Sequence, residues 1–332
     1  MSREMFINGR GIDDARQLYI TERKVRRAKE KYGVNDSEFE KLKEQIDWDL
    51  LRKIFEEIAA KSGINKKDLN FIGPSQVVNC EEYAEEGDDK RMKIIGGLYR
   101  SIDNFLILNS NRIRKVSGEK LVDKKLMTLS VLIHEMCHAI SFNAHIITDK
   151  FNNEFLTGES AVVVDGAYRS SKDSHITKFN KPPEIKHESF NDLLDEAITE
   201  KLAIEVFDRY INQTGLVSNE ELGDYHRKYL KKIYREADDP KKKDDPNEKI
   251  PESQYSKLVK LMERLCQIVS IRIKVDPDIV WHGFVRGLFY KNTLSDPTIQ
   301  QWFAEAFSPI FLDELKKVKD VDAFASLLEK YS

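Results

Sequence analysis

The chain has 332 residues, 40% of them hydrophobic and 33% charged, with a net charge of −3. That length can bury a large core and hold two domains, and the charge gives no general drive towards nucleic acid or anionic lipid. No stretch approaches the ~18 apolar residues of a membrane span, and no apolar leader opens the chain. Three cysteines, Cys80, Cys137 and Cys266, cannot all pair internally, so a reducing, cytoplasmic setting is expected.

Residues 1–36 read as an N-terminal helical arm. Its run Arg23-Lys24-Val25-Arg26-Arg27 is a solvated face or a docking surface. Ser37-x-x-Glu40 is a capping box. Phe39, Leu42, Ile46, Leu51, Ile54, Phe55 and Ile58 then predict one amphipathic helix running to Lys61 and stopping at Gly63. Strand-like runs follow at 69–79, 91–102 and 104–109, broken by Gly73-Pro74, Gly96-Gly97 and Asp103-Asn104.

Asp123 predicts the N-cap of the next helix, and neither Gly nor Pro interrupts residues 124–147. Leu126, Leu129, Ile133, Met136 and Ile140 recur at 3,4,3,4 spacing, which makes one apolar face. His134-Glu135-Met136-Cys137-His138 falls inside this helix as H-E-x-x-H. Residues i and i+4 share a face, so both imidazoles can grip one metal ion. Glu135 projects from the neighbouring face, where a carboxylate can take a proton from a metal-activated water. The plainer reading is two helix histidines bridged to backbone or carboxylates. Cys137, about 100° from His138, reads as a small packing residue and not as a ligand.

The metzincin arrangement requires H-E-x-x-H-x-x-G-x-x-H. Ser141 stands in place of its glycine, Ala144 in place of its third histidine, and His145 comes one residue late. An uninterrupted helix would carry His145 away from the metal at about 1.5 Å per residue.

The stretch from Ser160 to Arg169 predicts a hairpin with Asp165-Gly166 as its tight turn. Tyr168, Arg169, His175 and His187 could contact substrate or stabilise an oxyanion, though each taken singly reads first as a surface residue. A second strong helix begins near Leu193, capped by Asn191 or Ser189 and stopped by Gly215. Glu196 and Glu200 share one of its faces. They form a solvated acidic face, or Glu196 is the third metal ligand and Glu200 holds a ligand histidine by its other ring nitrogen.

H-E-x-x-H followed by a helix carrying E-x-x-x-E resembles the gluzincin branch of the zincin metallopeptidases. Leu-Asp-Glu-Ala-Ile-Thr-Glu, residues 194–200, is also similar to the L-N-E-G-x-T-E string of many bacterial zincin-like proteins. The resemblance spans residues 47–215, with a long connection, 139–195, between the two strings. It implies an α+β fold with a zincin-like core: a small mixed sheet and the H-E-x-x-H helix in 37–145, then a connecting hairpin and the glutamate helix in 146–215. It implies one Zn2+ per chain on His134, His138 and Glu196, with Glu135 as general base and Glu200 beside a ligand histidine. In zincins a strand bordering the cleft hydrogen-bonds extended substrate. Phe105, Leu106 and Ile107 are the candidates by that resemblance, or else they form an internal strand.

Residues 216–332 read as a mostly helical region, with a charged, proline-containing stretch at 237–253 that reads as mobile. Leu258, Leu261, Leu265, Ile268 and Ile271 predict a buried helical stripe. His226 or His282 is a candidate transition-state donor by the same resemblance, or an ordinary bundle histidine. The expected function is a zinc-dependent peptidase acting on peptide or protein substrates, with neither nucleic acid nor membrane as partner. The alternative is a zincin-fold regulatory or partner-binding protein with little general proteolytic activity. Oligomeric state has no signature in the sequence.

Overall fold

A computed structural model describes residues 3–7, 25–26, 29–30, 37–80, 96–100, 105–117, 120–141, 143–148, 161–166, 175–176, 192–232, 254–289, 297–308, 310–315, 317–318 and 320–332. The fold is α+β, dominated by helices, with a small mixed sheet beside them. No helix among the described residues is long and apolar enough to cross a membrane.

The expected single helix after Ser37 is two: α1, Ser37–Glu44, and α2, Trp48–Lys61. Asp47 causes the break. Its side chain accepts from Leu50 N–H at 2.9 Å, which caps α2, and its own N–H donates to the Tyr210 hydroxyl at 2.8 Å. A short acid that serves backbone donors in this way favours a cap over a helix interior. α2 stops where Gly63 takes φ +73°, a conformation that suits glycine.

Within the three expected strand regions, the described residues form β2, Val77–Cys80, β3, Gly97–Arg100, and β4, Phe105–Asn109. β4 lies in the centre, parallel to β2 and antiparallel to β3. One face of the sheet carries Val77, Leu106 and Leu108 into the main core. The other carries Val78, Cys80, Leu98, Phe105 and Ile107 into a smaller cluster with Val25. Burial on both faces explains why β4 reads as an unbroken apolar run.

Helix α3, Ser110–Ser117, leads into α4, Leu121–Ile140, which carries the H-E-x-x-H motif. Lys120 precedes α4, so Asp123 sits in its first turn and not at its cap, where a carboxylate still complements the helix dipole. α4 also ends earlier than expected. Ser141 N–H donates to Cys137 O at 3.0 Å and Ser141 Oγ donates to His138 O at 2.6 Å, closing the last turn. The chain then enters β5, Asn143–Thr148, rich in β-branched residues. His145 is therefore removed from the helix by strand pairing, opposite Phe6 of β1 (Arg3–Ile7) and Val164 of β6 (Ala161–Gly166). Asp165 and Gly166 lie within β6, paired with Ala144 and Asn143, and are not a tight turn. The next described strand is β7, His175–Ile176, which pairs antiparallel with β6.

Helix α5, Asp192–Thr214, carries the glutamates and ends at Gly215, φ +61°. The described residues beyond it form further helices: α6, Asn219–Lys232; α7, Gln254–Ile273; α8, Pro277–Phe289; α9, Pro297–Ala306; α10, Phe311–Leu315; and α11, Val321–Lys330. α5 packs on α4 with one side and on α7 and α8 with others. Trp281 Nε1–H donates to Glu205 at 3.0 Å, and Lys201 pairs with Glu263 at 3.2 Å, so the glutamate helix is held from behind. The expected stripe on α7 is corrected at its end: Ile271 is 76% exposed. Steps of three residues drift about 60° each round a helix, so Met262, Cys266 and Val269 take over the buried face. The 237–253 stretch lies outside the described residues.

Candidate metal centre

α4 and α5 pack against each other with the two motif faces opposed. His134 Nε2 and His138 Nε2 stand 3.2 Å apart. The Glu196 carboxylate bridges towards both, with Oε2 at 3.7 Å from His134 Nε2 and Oε1 at 3.6 Å from His138 Nε2. A tetrahedral zinc with bonds of about 2.0–2.1 Å separates its ligand atoms by about 3.4 Å. The triangle is thus already of the size that one such ion requires. Among the described residues, no other group of three His, Cys, Asp or Glu ligand atoms lies so close together.

Carboxylates stand behind both histidine rings. A carboxylate only accepts, so His134 Nδ1–H donates to Glu200 Oε2 at 2.8 Å, and Nε2 is left facing the triangle. On the other side Asp195 Oδ2 lies 4.0 Å from His138 Nδ1. Sequence reasoning missed Asp195. Its signal was adjacency to Glu196, but neighbours on a helix point about 100° apart, and only the packing of α4 shows that Asp195 faces a ring. Both acids are buried, which suits them to orient ligands in a low-dielectric setting.

Burial of His134 opposes its charge. The hydrogen bond and charge of Glu200, then the charges of Glu135 and Glu196, outweigh it and raise the imidazole from 6.5 to about 10. A proton therefore occupies the place of a cation when no metal is bound. Burial, followed by Glu200 and Glu135, pushes the Cys137 thiol well above its usual range, so it remains a protonated packing group.

Glu135 is 7% exposed and accepts from Tyr99 N–H at 2.8 Å through Oε2. It therefore faces β3 as well as the histidine pair. Phe105, Leu106 and Ile107 do not border a cleft: β4 is hydrogen-bonded on both sides and these three residues are buried. The strand at the sheet margin beside Glu135 is β3. His226 is also placed elsewhere. Its Nε2 lies 2.8 Å from Asp208 Oδ1, and Asp208 is two turns beyond Glu200, about 12 Å along the α5 axis. His282 Nδ1 lies 3.0 Å from Ser62 Oγ, tying α8 to the end of α2. Tyr168, Arg169 and His187 lie outside the described residues, and of His175 only its place in β7 is described.

Comparison with protein-family models, with curated proteins and with solved structures finds no match to this chain.

Proposed function

We propose that the protein is a zinc-dependent peptidase of gluzincin type, with β2–β4, α4 and α5 as a zincin-like core. The observation that carries this reading is the ligand triangle, 3.2, 3.6 and 3.7 Å on its sides, next to a buried and intact Glu135. Two nitrogens and one oxygen are a catalytic zinc set, which leaves a fourth position for exchange. When bound there, zinc supplies Lewis acidity to a peptide carbonyl and acidifies water. Glu135 accepts the proton of the attacking water and returns it to the departing amine nitrogen. Glu200 and Asp195 keep His134 and His138 in register for the ion.

Glu135→Gln separates this reading from a regulatory one. The amide keeps shape and loses basicity, so the variant should keep its fold and zinc while turnover falls by roughly 10²–10⁴-fold. Wild type should cleave at least one peptide of a diverse library and be stopped by a chelator. Equal inactivity of wild type and variant across that library, with a partner protein still bound, would leave the partner-binding reading in its place.

A further inference from the structure

β3 offers more than proximity. Asn109 N–H donates to Gly96 O at 2.8 Å. In an antiparallel ladder, bonded pairs alternate with non-bonded ones. The register Gly97↔Leu108 to Arg100↔Phe105 therefore makes Leu98 and Arg100 the residues bonded to β4, and directs the backbone of Gly97 and Tyr99 away from it. β3 is the terminal strand of its sheet among the described residues, so these groups lie on the outer edge. That is where the Tyr99 N–H meets Glu135 Oε2.

Gly97 faces the same carboxylate. A Cβ placed on it would lie 2.8 Å from Glu135 Cγ, 3.1 Å from Glu135 Oε1 and 2.7 Å from Val131 Cγ1. The first and last distances are shorter than side chains tolerate. The second would set a methyl carbon 3.1 Å from Oε1, just outside the roughly 2.5–3.0 Å at which a water hydrogen-bonds a carboxylate oxygen, so its bulk would overlap a water bound on that side. The strand is pinned along α4 by a second tie. Asn70 Nδ2 donates to the Tyr99 hydroxyl at 3.1 Å and to Ala139 O at 3.0 Å, one residue beyond His138.

We infer that Gly97 and Tyr99 are positioning residues for the general base: the Tyr99 amide holds Oε2 of Glu135, and the missing side chain at Gly97 keeps the space beside Oε1 open for water. The inference rests on the peptidase reading and extends it to the sheet margin. Tyr99 acts through its main chain and Gly97 through what it lacks, so neither touches the reacting atoms.

Gly97→Ala is the first test, with a peptide that the wild type cleaves. A carboxylate displaced by a fraction of an ångström should cost kcat roughly 10–100-fold, while KM stays within about twofold. Zinc binding should be retained, since no ligand is moved. A Gly97→Ala enzyme as fast as wild type overturns the inference. The second test stands even if that variant does not fold: amide hydrogen exchange at Tyr99 in the metal-free protein, wild type against Glu135→Ala. Loss of the acceptor should speed exchange about tenfold or more, because β4 offers that amide no carbonyl. Exchange indifferent to Glu135 overturns the inference. Failure of the peptidase reading looks different: the wild type cleaves nothing, while the Tyr99 amide still depends on Glu135.

Discussion

Along α5, residues 195–200 and residues 205–209 both present acids within a turn of one another, yet the two segments use them differently. In the distal segment each acid meets a donor of its own. Glu205 takes Arg209 at 2.7 Å and Trp281 Nε1–H at 3.0 Å, and Asp208 takes His226 at 2.8 Å. In the proximal segment Asp195, Glu196 and Glu200 converge with Glu135 of α4 on two imidazoles. A lone histidine–carboxylate pair ties two helices together. Three potential ligand atoms within 4.8 Å of one another are close enough to hold one cation.

The contrast breaks most sharply on ligand removal. Glu196→Ala or His138→Ala should weaken zinc binding by more than about 100-fold, beyond the usual penalty for a residue behind a ligand. A competition titration measures this, and Asp208→Ala in parallel should leave affinity unchanged. Next comes Glu200→Ala, with a loss of roughly 10–100-fold. Asp195→Ala should fall below it, since 4.0 Å to His138 is a looser hold than 2.8 Å to His134. The reverse ranking would mean that the two acids have exchanged importance.

Protons sharpen the same comparison. With His134 at about 10 in the metal-free protein, zinc must expel a proton at neutral pH, so affinity should rise by up to about tenfold per pH unit. Because the folded value lies above the ordinary 6.5, the proton's stabilising contribution is complete below pH 6.5 and is lost as pH rises through about 10. Thermal melts of metal-free protein should show that decline, and affinity flat with pH would contradict it. The smallest effect belongs to the distal pair: His226→Ala should cost about 0–1 kcal/mol in a denaturant melt, as partly exposed pairs do, and leave zinc affinity alone.

The site was legible because helical spacing states it directly: His134 and His138 one turn apart, Glu196 and Glu200 one turn apart, each on a helix with a clear apolar stripe. What escaped depends on tertiary packing. β4 is central because β2 and β3 pair with its two edges, and an apolar run alone does not say which strands flank it. The break at Asp47 needs Tyr210, remote in sequence. The end of α4 at Ile140 carries neither Gly nor Pro, and arises from Ser141 and from strand pairing at 143–148. The hold on Glu135 comes from a main-chain amide, which any residue at position 99 would supply. Only Gly97 hinted at it, and a glycine between strands reads first as a turn.

The central claim is that His134, His138 and Glu196 hold one zinc ion. The most direct measurement is anomalous diffraction on either side of the zinc edge, from crystals grown with zinc. The account predicts one strong peak per chain, about 2.0–2.2 Å from His134 Nε2, His138 Nε2 and a Glu196 oxygen. A well-ordered α4–α5 pair without that peak at saturating zinc, or a peak whose ligands exclude Glu196, would contradict it.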